Sequence, residues 1–462
     1  MERRNGTNPQ GKDTVLLMDR YSVESQNLLT SLKEAGWQGA AVVIEDDGYL
    51  PDDVISCYGS FLGDFKDCAG RTDWLGQHLE GRPRYFNQVR VPDYWQISGR
   101  NTGGQIHDLG RERGRIFYAD LAHKRYVRVV DWLDQWGVVR SCDHYNRYGA
   151  IFARTIFNQR GEKVNRSYFD REGREILVEN FVTGAILLQD GEILRSFPGK
   201  VDFVMYALER MGYGNSRLFY NSLSTPFFVA LRMQKNGSED LLFWQEPVGE
   251  AIPGNMQVIL QDRTVRPTKI IVQKKKSYER LLELGADPSH MKQLGYLYPF
   301  LRESSYRPSV LICTNSERVE GLDTLARALP ELRFHVAALT EMSSRLLSVG
   351  SNENVSLYPA ARPERIEELF DHCDIYLDIN RENEILSAVR KAFLSNLLIA
   401  GFQETLHDPD YVAPEHTFSV EEPEQLAAWL SDVISNKERW EAELESQRDH
   451  ALAETPERYL TL

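Results

Sequence analysis

The chain has 462 residues, an ordinary share of aliphatic and aromatic side chains, and a formal net charge of -14, which allows two or three domains with a core each. That charge repels phosphate backbones and anionic lipid, so nucleic acid is not an expected partner. No run reaches the ~18 apolar residues of a membrane span, and the start "MERRNGTNPQGKD" lacks the apolar segment of a secretory signal; the expected location is the cytoplasm, at most peripheral to the inner face of the membrane.

Past this polar start, "TVLLMDRY" is apolar enough for a buried strand, "SVESQNLLTSLKEAGW" repeats apolar residues at helical spacing behind a Ser, and "AAVVIEDDGYLP" is a second strand. Strand, helix and strand at this spacing open a βαβ unit, hence a parallel sheet. The Gly-, Pro- and aromatic-rich stretch that follows shows no clear period. From residue 105 the pattern changes: "DQWG" from Asp134, "NRYG" from Asn146, "NQRG" from Asn158 and "DREG" from Asp170 recur at a step of twelve. Asp or Asn at the first position bonds back to the turn backbone and Gly at the fourth tolerates positive φ, so each tetrapeptide predicts a hairpin corner closed through a bulge. The intervening eight residues are strand-length, and "LLQDGEIL" adds a further hairpin. An aromatic closes each interval: Tyr145, Phe157, Phe169 and Phe181. Residues twelve apart are expected at like positions on successive hairpins, so these rings would line one face or edge and are the candidate partner contacts.

The α/β pattern resumes near residue 200 with the amphipathic "VDFVMYALERMGY", then "SRLFYNSL", "DLLFWQEP", "GNMQVIL" and "TKIIVQ". The cluster Lys274-Lys275-Lys276 reads as a solvated turn, and "LGYLYPFLRESSYRP" as the interdomain linker. Strands "SVLICTN", "RFHVAALT", "VSLYPA", "DIYLDIN" and "LLIAGF" then alternate with helices "GLDTLARALPEL", "MSSRLLSVG", "RPERIEELFDHC" and "NEILSAVRKAFLSN", a doubly wound parallel sheet. The expected fold is α/β: two Rossmann-like domains with an inserted, extended antiparallel sheet. The expected segments are 1–104 and 197–303 for the first domain, 105–196 for the insertion, 304–440 for the second domain and 441–462 for a terminal helix or tail. The five cysteines are scattered, odd in number and without a Cys-x-x-Cys pair, and the ten histidines form no His-x-x-x-His or His-Glu-x-x-His pattern; reduced core thiols, no metal and no cofactor are expected.

Two such halves, the second ending in "LFDHCDIYLDIN" and "KAFLSNLLIAGF", resemble retaining glycosyltransferases of the two-domain B fold. In those enzymes the donor nucleotide lies along the strand ends of the second domain, and the active members carry a Glu, seven residues, then a second Glu that opens Glu-Ala-Met-Ala-Ser-Gly-Leu-Pro-Val-Ile. An ungapped match sets Lys391 at the later Glu and Asn383 at the earlier, with Asn396 and Leu398 at the Gly and Pro. An ammonium has no acceptor for ribose hydroxyls, and Glu384, one residue off, would be turned by about 100° on a helix. Where active relatives read Gly-Arg and then Lys for the diphosphate, this chain has Thr314, Asn315 and Glu320. A carboxylate there would repel a diphosphate by roughly 4 kcal/mol per charge pair at 4 Å in an effective dielectric of about 20, with Arg318 near enough to compensate. The donor site reads as degenerate, and no catalytic residue is expected.

More specifically, "VIEDDGYLPDD", "YFNQVRVPDYW", "VDWLDQWG", "VENFVTGAILL", "LLFWQEP", "EGLDTLARALPEL", "DIYLDIN", "AVRKAF" and "TLHDPDY" resemble the non-catalytic subunit of the accessory Sec system's protein O-glycosyltransferase. The resemblance implies a subunit that transfers no sugar alone, binds a Ser/Thr-rich adhesin polypeptide, and stabilises a catalytic homologue that transfers N-acetylglucosamine or glucose from a UDP donor. It also implies a heterotetramer, two copies of each subunit, to which the inserted sheet contributes. Trp244, Gln245, Glu246, Asn255, Glu341 and Asn380 are the candidate acceptor contacts, as polar or aromatic residues at strand ends expected to face the interdomain cleft. The alternatives are an active transferase in which Glu384 and Arg318 substitute, and a peptide- or carbohydrate-binding scaffold without an enzyme partner.

Overall fold

The computed structural model describes residues 14–100, 102–120, 122–234, 237–264, 266–460 and 462; the polar start read above lies outside them. The chain divides into two compact units, the first built from residues up to Gly295 together with Glu457–Leu462, the second from Tyr296–Pro456. In the first unit the chain runs β1 (Thr14–Arg20), α1 (Val23–Glu34), β2 (Ala40–Glu45) and β3 (Val54–Ser56). Ten strands follow: β4 (Gln96–Gly99), β5 (Gly103–Asp108), β6 (Arg111–Tyr118), β7 (Val127–Leu133), β8 (Val139–Tyr145), β9 (Ile151–Phe157), β10 (Lys163–Phe169), β11 (Glu175–Asn180), β12 (Ile186–Asp190) and β13 (Ile193–Phe197). Then come α2 (Lys200–Arg210), β14 (Arg217–Tyr220), α3 (Thr225–Arg232), β15 (Asp240–Trp244), α4 (Gly254–Leu260), β16 (Thr268–Val272), α5 (Lys275–Glu283) and β17 (Met291–Gln293).

Strands β1–β3 and β14–β17 form one parallel sheet in the order β17-β16-β15-β14-β1-β2-β3. Their apolar runs are buried on both faces, as parallel strands flanked by helices require. The other ten make an antiparallel meander in strict chain order, β13 to β4. The four expected corners are there and are alike. In each, the Asp134, Asn146, Asn158 or Asp170 Oδ1 accepts two backbone N–H bonds at 2.8–3.1 Å. The glycines that follow, Gly137, Gly149, Gly161 and Gly173, have φ of 77–82°, as a bulged turn demands.

The expected row of rings does not form. Successive corners of a meander lie at opposite ends of the sheet, so only residues twenty-four apart share an end. Tyr145 and Phe169 fall at one end, where the segment without a period covers them: Phe169 stacks on Trp74 with centroids 4.6 Å apart, and the Arg84 guanidinium lies 5.9 Å from the Tyr145 ring. Both rings are buried and offer no face to a partner. Phe157 and Phe181 fall at the other end and are half-buried, Phe181 beneath the cations of Lys163 and Arg166. That end carries Trp136 and Val182, each 75% exposed, on two of its turns. Strands β9–β12 bury Phe152, Tyr168, Leu177 and Leu188 in one core with Tyr58, Phe203 and Val204 of the parallel layer, so the meander is anchored rather than free.

The second unit holds β18 (Ser309–Thr314), α6 (Leu322–Ala328), β19 (Arg333–Ala338), α7 (Ser344–Val349), β20 (Val355–Tyr358), α8 (Pro363–His372), β21 (Ile375–Asp378), α9 (Ala388–Leu394), β22 (Leu398–Phe402), β23 (Thr417–Phe418), α10 (Pro423–Ser435) and α11 (Lys437–His450), ending at α12 (Pro456–Tyr459), which belongs largely to the first unit. Its sheet is parallel, in the order β20-β19-β18-β21-β22-β23. The expected alternation is observed, with one correction: the helix expected from Asn383 starts only at Ala388, because Leu386 and Ser387 take positive φ. The expected terminal helix or tail begins inside α11, which buries Leu444 and Gln447 of that segment. Among the described residues no helix is long and apolar enough to cross a membrane.

The two kinds of corner make different demands. A Cβ on Gly161 would meet open space, whereas one on Gly173 would lie within 3.0 Å of the Trp74 backbone. Gly161→Ala is expected to cost about 1–2 kcal/mol from φ alone, and Gly173→Ala about 2–4 kcal/mol because overpacking adds to it. Urea unfolding of the two variants checks the order; equal losses would contradict it.

Candidate functional site

In an open parallel sheet a ligand crevice forms where the strand order reverses, outside the carboxyl ends of the strands. In the first unit that place is between β1 and β14, and a cavity of about 470 Å³ lies there. Its wall is made by residues at or just past the carboxyl ends of apolar strands: Asp19 and Arg20 at the end of β1, Glu45 at the end of β2, Asn221 and Ser222 after β14, Gln245 and Glu246 after β15. Ser22 caps α1 through a 3.3 Å bond from the Ser25 N–H. The Ser222 hydroxyl donates to Asp19 at 2.5 Å. Asn221 Nδ2 donates to Ser25 Oγ and to Gln245 Oε1, each at 2.9 Å, and Gln245 Nε2 donates to the Glu24 carbonyl at 2.8 Å. The ends of β1, β14 and β15 are thereby held in one frame.

Burial pushes the Asp19 carboxyl above its ordinary range, opposed by its bond from Ser222. Burial acts the same way on Glu45, but there the charges of Lys200 and Arg20 outweigh it and hold the carboxyl low. The wall thus alternates carboxylates (Asp19, Glu24, Glu45, Glu246) with cations (Arg20, Lys200, Lys274) among hydroxyls and amides. Such a surface is matched to hydroxyl and peptide groups rather than to a phosphate.

In the second unit the order reverses between β18 and β21, and there the loops following the two strands are tied together. Glu320 N–H donates to Ile379 O at 2.9 Å and Arg381 N–H to Arg318 O at 3.0 Å, with Val319 and Asn380 bridged antiparallel. Two ion pairs flank this strap, Arg381–Glu320 at 2.6 Å and Arg318–Glu382 at 3.2 Å. Beneath it, Thr314 Oγ1 donates to Asn380 Oδ1 at 2.8 Å, and Asn315 Oδ1 accepts the Leu339 N–H. A cavity of about 380 Å³ remains on the α6–α7 side, lined by Arg318, Glu320, Asp323 and Arg345.

The residues expected at a donor site are accordingly engaged elsewhere. Glu320 is paired with Arg381, so the carboxylate expected to repel a diphosphate is neutralised by a neighbouring cation. Lys391 pairs with Glu367 and lies 5.3 Å from the Phe370 ring; burial lowers its pKa. Glu384 is not helical: its Oε1 accepts the Val389 N–H at 2.8 Å, capping α9, and burial raises its pKa. The exposed Asn383 offers its carbonyl to Asn380. Asn396 has φ of 53°, so Asn occupies a left-handed position of the kind that glycine favours.

Of the six acceptor candidates, Gln245 and Glu246 line the first cavity. Trp244 does not: at 4% exposure it is a core residue, because the last residue of a central parallel strand is still covered by helices. Asn255 lies in α4, where its Nδ2 donates to Leu223 O and holds the loop beside Ser222. Asn380 is the buried centre of the strap and Glu341 an exposed residue after β19, both in the second unit. Asp19, Asn221, Ser222 and Lys200 were not visible as site residues from the sequence, since their convergence depends on the strand order.

His407 completes the strap. Its Nδ1 lies 2.6 Å from Asp378 Oδ1 and its Nε2 2.5 Å from the Glu382 carbonyl, so both nitrogens donate only in the imidazolium. Burial opposes that charge, but the bond and charge of Asp378 outweigh it and raise the pKa to about 9. Because the folded value exceeds the unfolded one of about 6.5, the contribution is complete below pH 6.5 and is lost as pH rises through 9. Between pH 6 and pH 10 the full chain is expected to lose about 3 kcal/mol more stability than a His407→Gln variant. Parallel curves for the two in urea unfolding would contradict the charged strap.

Comparison with known proteins matches four family models in sequence: GtfB N-terminal domain at residues 15–61, GtfB middle domain at 95–198, GtfB third domain at 200–284, and GftB/GlyA-F C-terminal domain at 310–447. The chain is 42% identical over 440 residues to the UDP-N-acetylglucosamine–peptide N-acetylglucosaminyltransferase stabilizing protein GtfB of Streptococcus gordonii, covering 95% of each. It is 43% identical to the protein of the same name from Streptococcus pneumoniae serotype 4, covering 94% of this chain and 95% of that one. A solved GtfA/B complex bound to UDP and GlcNAc contains a chain 41% identical to this one, with a TM-score of 0.85 and coverage of 97% and 98%. A complex of accessory secretory proteins 1, 2 and 3 from Streptococcus pneumoniae shares the fold alone, at 11% identity, a TM-score of 0.55 and coverage of 97% of both chains. The chain belongs to the GtfB family of peptide N-acetylglucosaminyltransferase stabilizing proteins.

Proposed function

We propose that this chain is the non-catalytic, stabilising subunit of a peptide O-glycosyltransferase and holds the Ser/Thr-rich acceptor for a catalytic partner of the GtfA type. The observation that carries this reading is the contrast between the two switch points: the first is uncrossed and lined by hydroxyls, amides and charges of both signs, the second is crossed by a backbone strap whose charges are paired with one another. Glu384 and Arg318, which an unusual active site would need, are occupied as a helix cap and an ion-pair partner, which speaks against an active transferase.

The acceptor, an extended Ser/Thr-rich adhesin segment, lies along the cavity framed by Asn221, Ser222, Gln245 and Glu246. A disordered chain bears an ordering cost on binding, and the site offsets it with preformed hydrogen-bond partners. The partner docks on the meander, where Phe157 and Phe181 and the exposed Trp136 and Val182 mark the uncovered end. The assembly contains two copies of each subunit and works in the cytoplasm, at the inner face of the membrane where secretion takes up its product.

Stabilisation of the partner is linkage: at a hundredfold excess over Kd, a ligand of the folded state adds about 2.7 kcal/mol, so the melting midpoint of the catalytic subunit is expected to rise by a few degrees. An unchanged midpoint at saturation would contradict the stabilising role. UDP-sugar titrated into the isolated chain is expected to give no saturable heat; tight binding would favour the active-transferase reading.

A further inference from the structure

Lys200 is the first residue of α2, three positions past the end of β13, where the chain re-enters the parallel layer from the meander. A cation in the first turn opposes the helix dipole, so helix stability does not account for it. Its ammonium lies 3.4 Å from Glu45 Oε1 at the end of β2 and 3.2 Å from Glu179 Oε1 on β11, and it forms part of the cavity wall. Glu179 is buried, and the charge of Arg166 on β10 acts on it from within the meander. One carboxylate of the meander and one of the parallel layer thus hold the same ammonium at the edge of the cavity. An ammonium has three N–H donors, and these two carboxylates account for two directions.

We propose that Lys200 donates its third N–H to a carbonyl or hydroxyl of the acceptor polypeptide, and that the meander, through Glu179, sets where that donor points. This rests on the reading that the cavity holds the acceptor. It makes Lys200 a specificity residue for an uncharged polar backbone, and Glu179 a positioning residue that never touches the acceptor. The sheet assigned to partner docking and the cavity assigned to the acceptor then share one ammonium, so a shift of β11 moves a donor in the cavity.

The test uses the full chain assembled with its catalytic partner and a fluorescent, unmodified Ser/Thr-rich polypeptide as the probe. Lys200→Met is expected to weaken binding about tenfold, the loss of one charge-assisted hydrogen bond, while Lys200→Arg stays within about threefold. Glu179→Gln is expected to weaken it about threefold although it lies outside the cavity, and the paired Lys200→Met/Glu179→Gln variant, which leaves no buried carboxylate unpaired, is expected to match Lys200→Met. The partner's melting midpoint should be the same with every variant, which separates this effect from loss of fold. If Gln245→Ala and Asn221→Ala leave binding unchanged, the cavity does not hold the acceptor and the underlying reading fails. If those two weaken binding while both Lys200→Met and the paired variant bind as the unaltered chain does, the cavity reading stands and the role of Lys200 is overturned. A Glu179→Gln variant that binds normally beside a weakened Lys200→Met overturns the positioning by the meander.

Discussion

Two backbone hydrogen bonds, Glu320 N–H to Ile379 O and Arg381 N–H to Arg318 O, cross the one place in the second sheet where strand order reverses. A parallel sheet leaves its ligand crevice there because the loops on either side diverge to opposite faces. Here they converge instead, and the crossed pairs Arg381–Glu320 and Arg318–Glu382 keep them together. Charges that would serve a diphosphate in an active site neutralise one another across the strap. The unit thereby keeps its doubly wound sheet with the switch point crossed by a strap, and the cavity that remains lies to the α6–α7 side of it.

The first unit makes the opposite choice. Its switch point stays open, and the side chains around it are fixed by bonds to one another: Asn221 to Ser25 and Gln245, Ser222 to Asp19, Gln245 to the end of α1. Preformed polar frames of this kind are matched to a flexible polypeptide, whose own ordering is the dominant cost of binding. The meander is built into the same body through Tyr58, Phe152, Tyr168 and Phe203, which pack in one core with the parallel layer.

Much of this was legible in the sequence. The corners of the meander were, because Asp or Asn followed three positions later by Gly has a local mechanism that tertiary context rarely overrides. The alternation of the second unit was, because its strands and helices differ in period. Fold class followed from these, whereas the family and the non-catalytic character followed from the resemblance carried by stretches such as "VIEDDGYLPDD" and "AVRKAF", with Lys391 and Asn383 where active relatives have glutamates. What was not legible depends on contacts between distant segments. Tyr145 and Phe169 are covered by a stretch around Trp74 and Arg84 that has no period to read. The start of α9 was placed early because apolar spacing continues through Ile385 and Leu386, whereas the Glu384 cap and two positive φ values delay it. Trp244 looked like a strand-end aromatic and is a core residue, and the cavity at Asp19, Asn221 and Lys200 exists only once β14 is placed beside β1.

The central claim is that sugar transfer needs a second chain and that this one improves it. The most direct measurement is incorporation of sugar from the UDP donor into an unmodified Ser/Thr-rich polypeptide by this chain alone, by the catalytic homologue alone, and by both. The account predicts none from this chain alone and more from the pair than from the homologue by itself. Incorporation by this chain alone, or equal rates with and without it, would contradict the account.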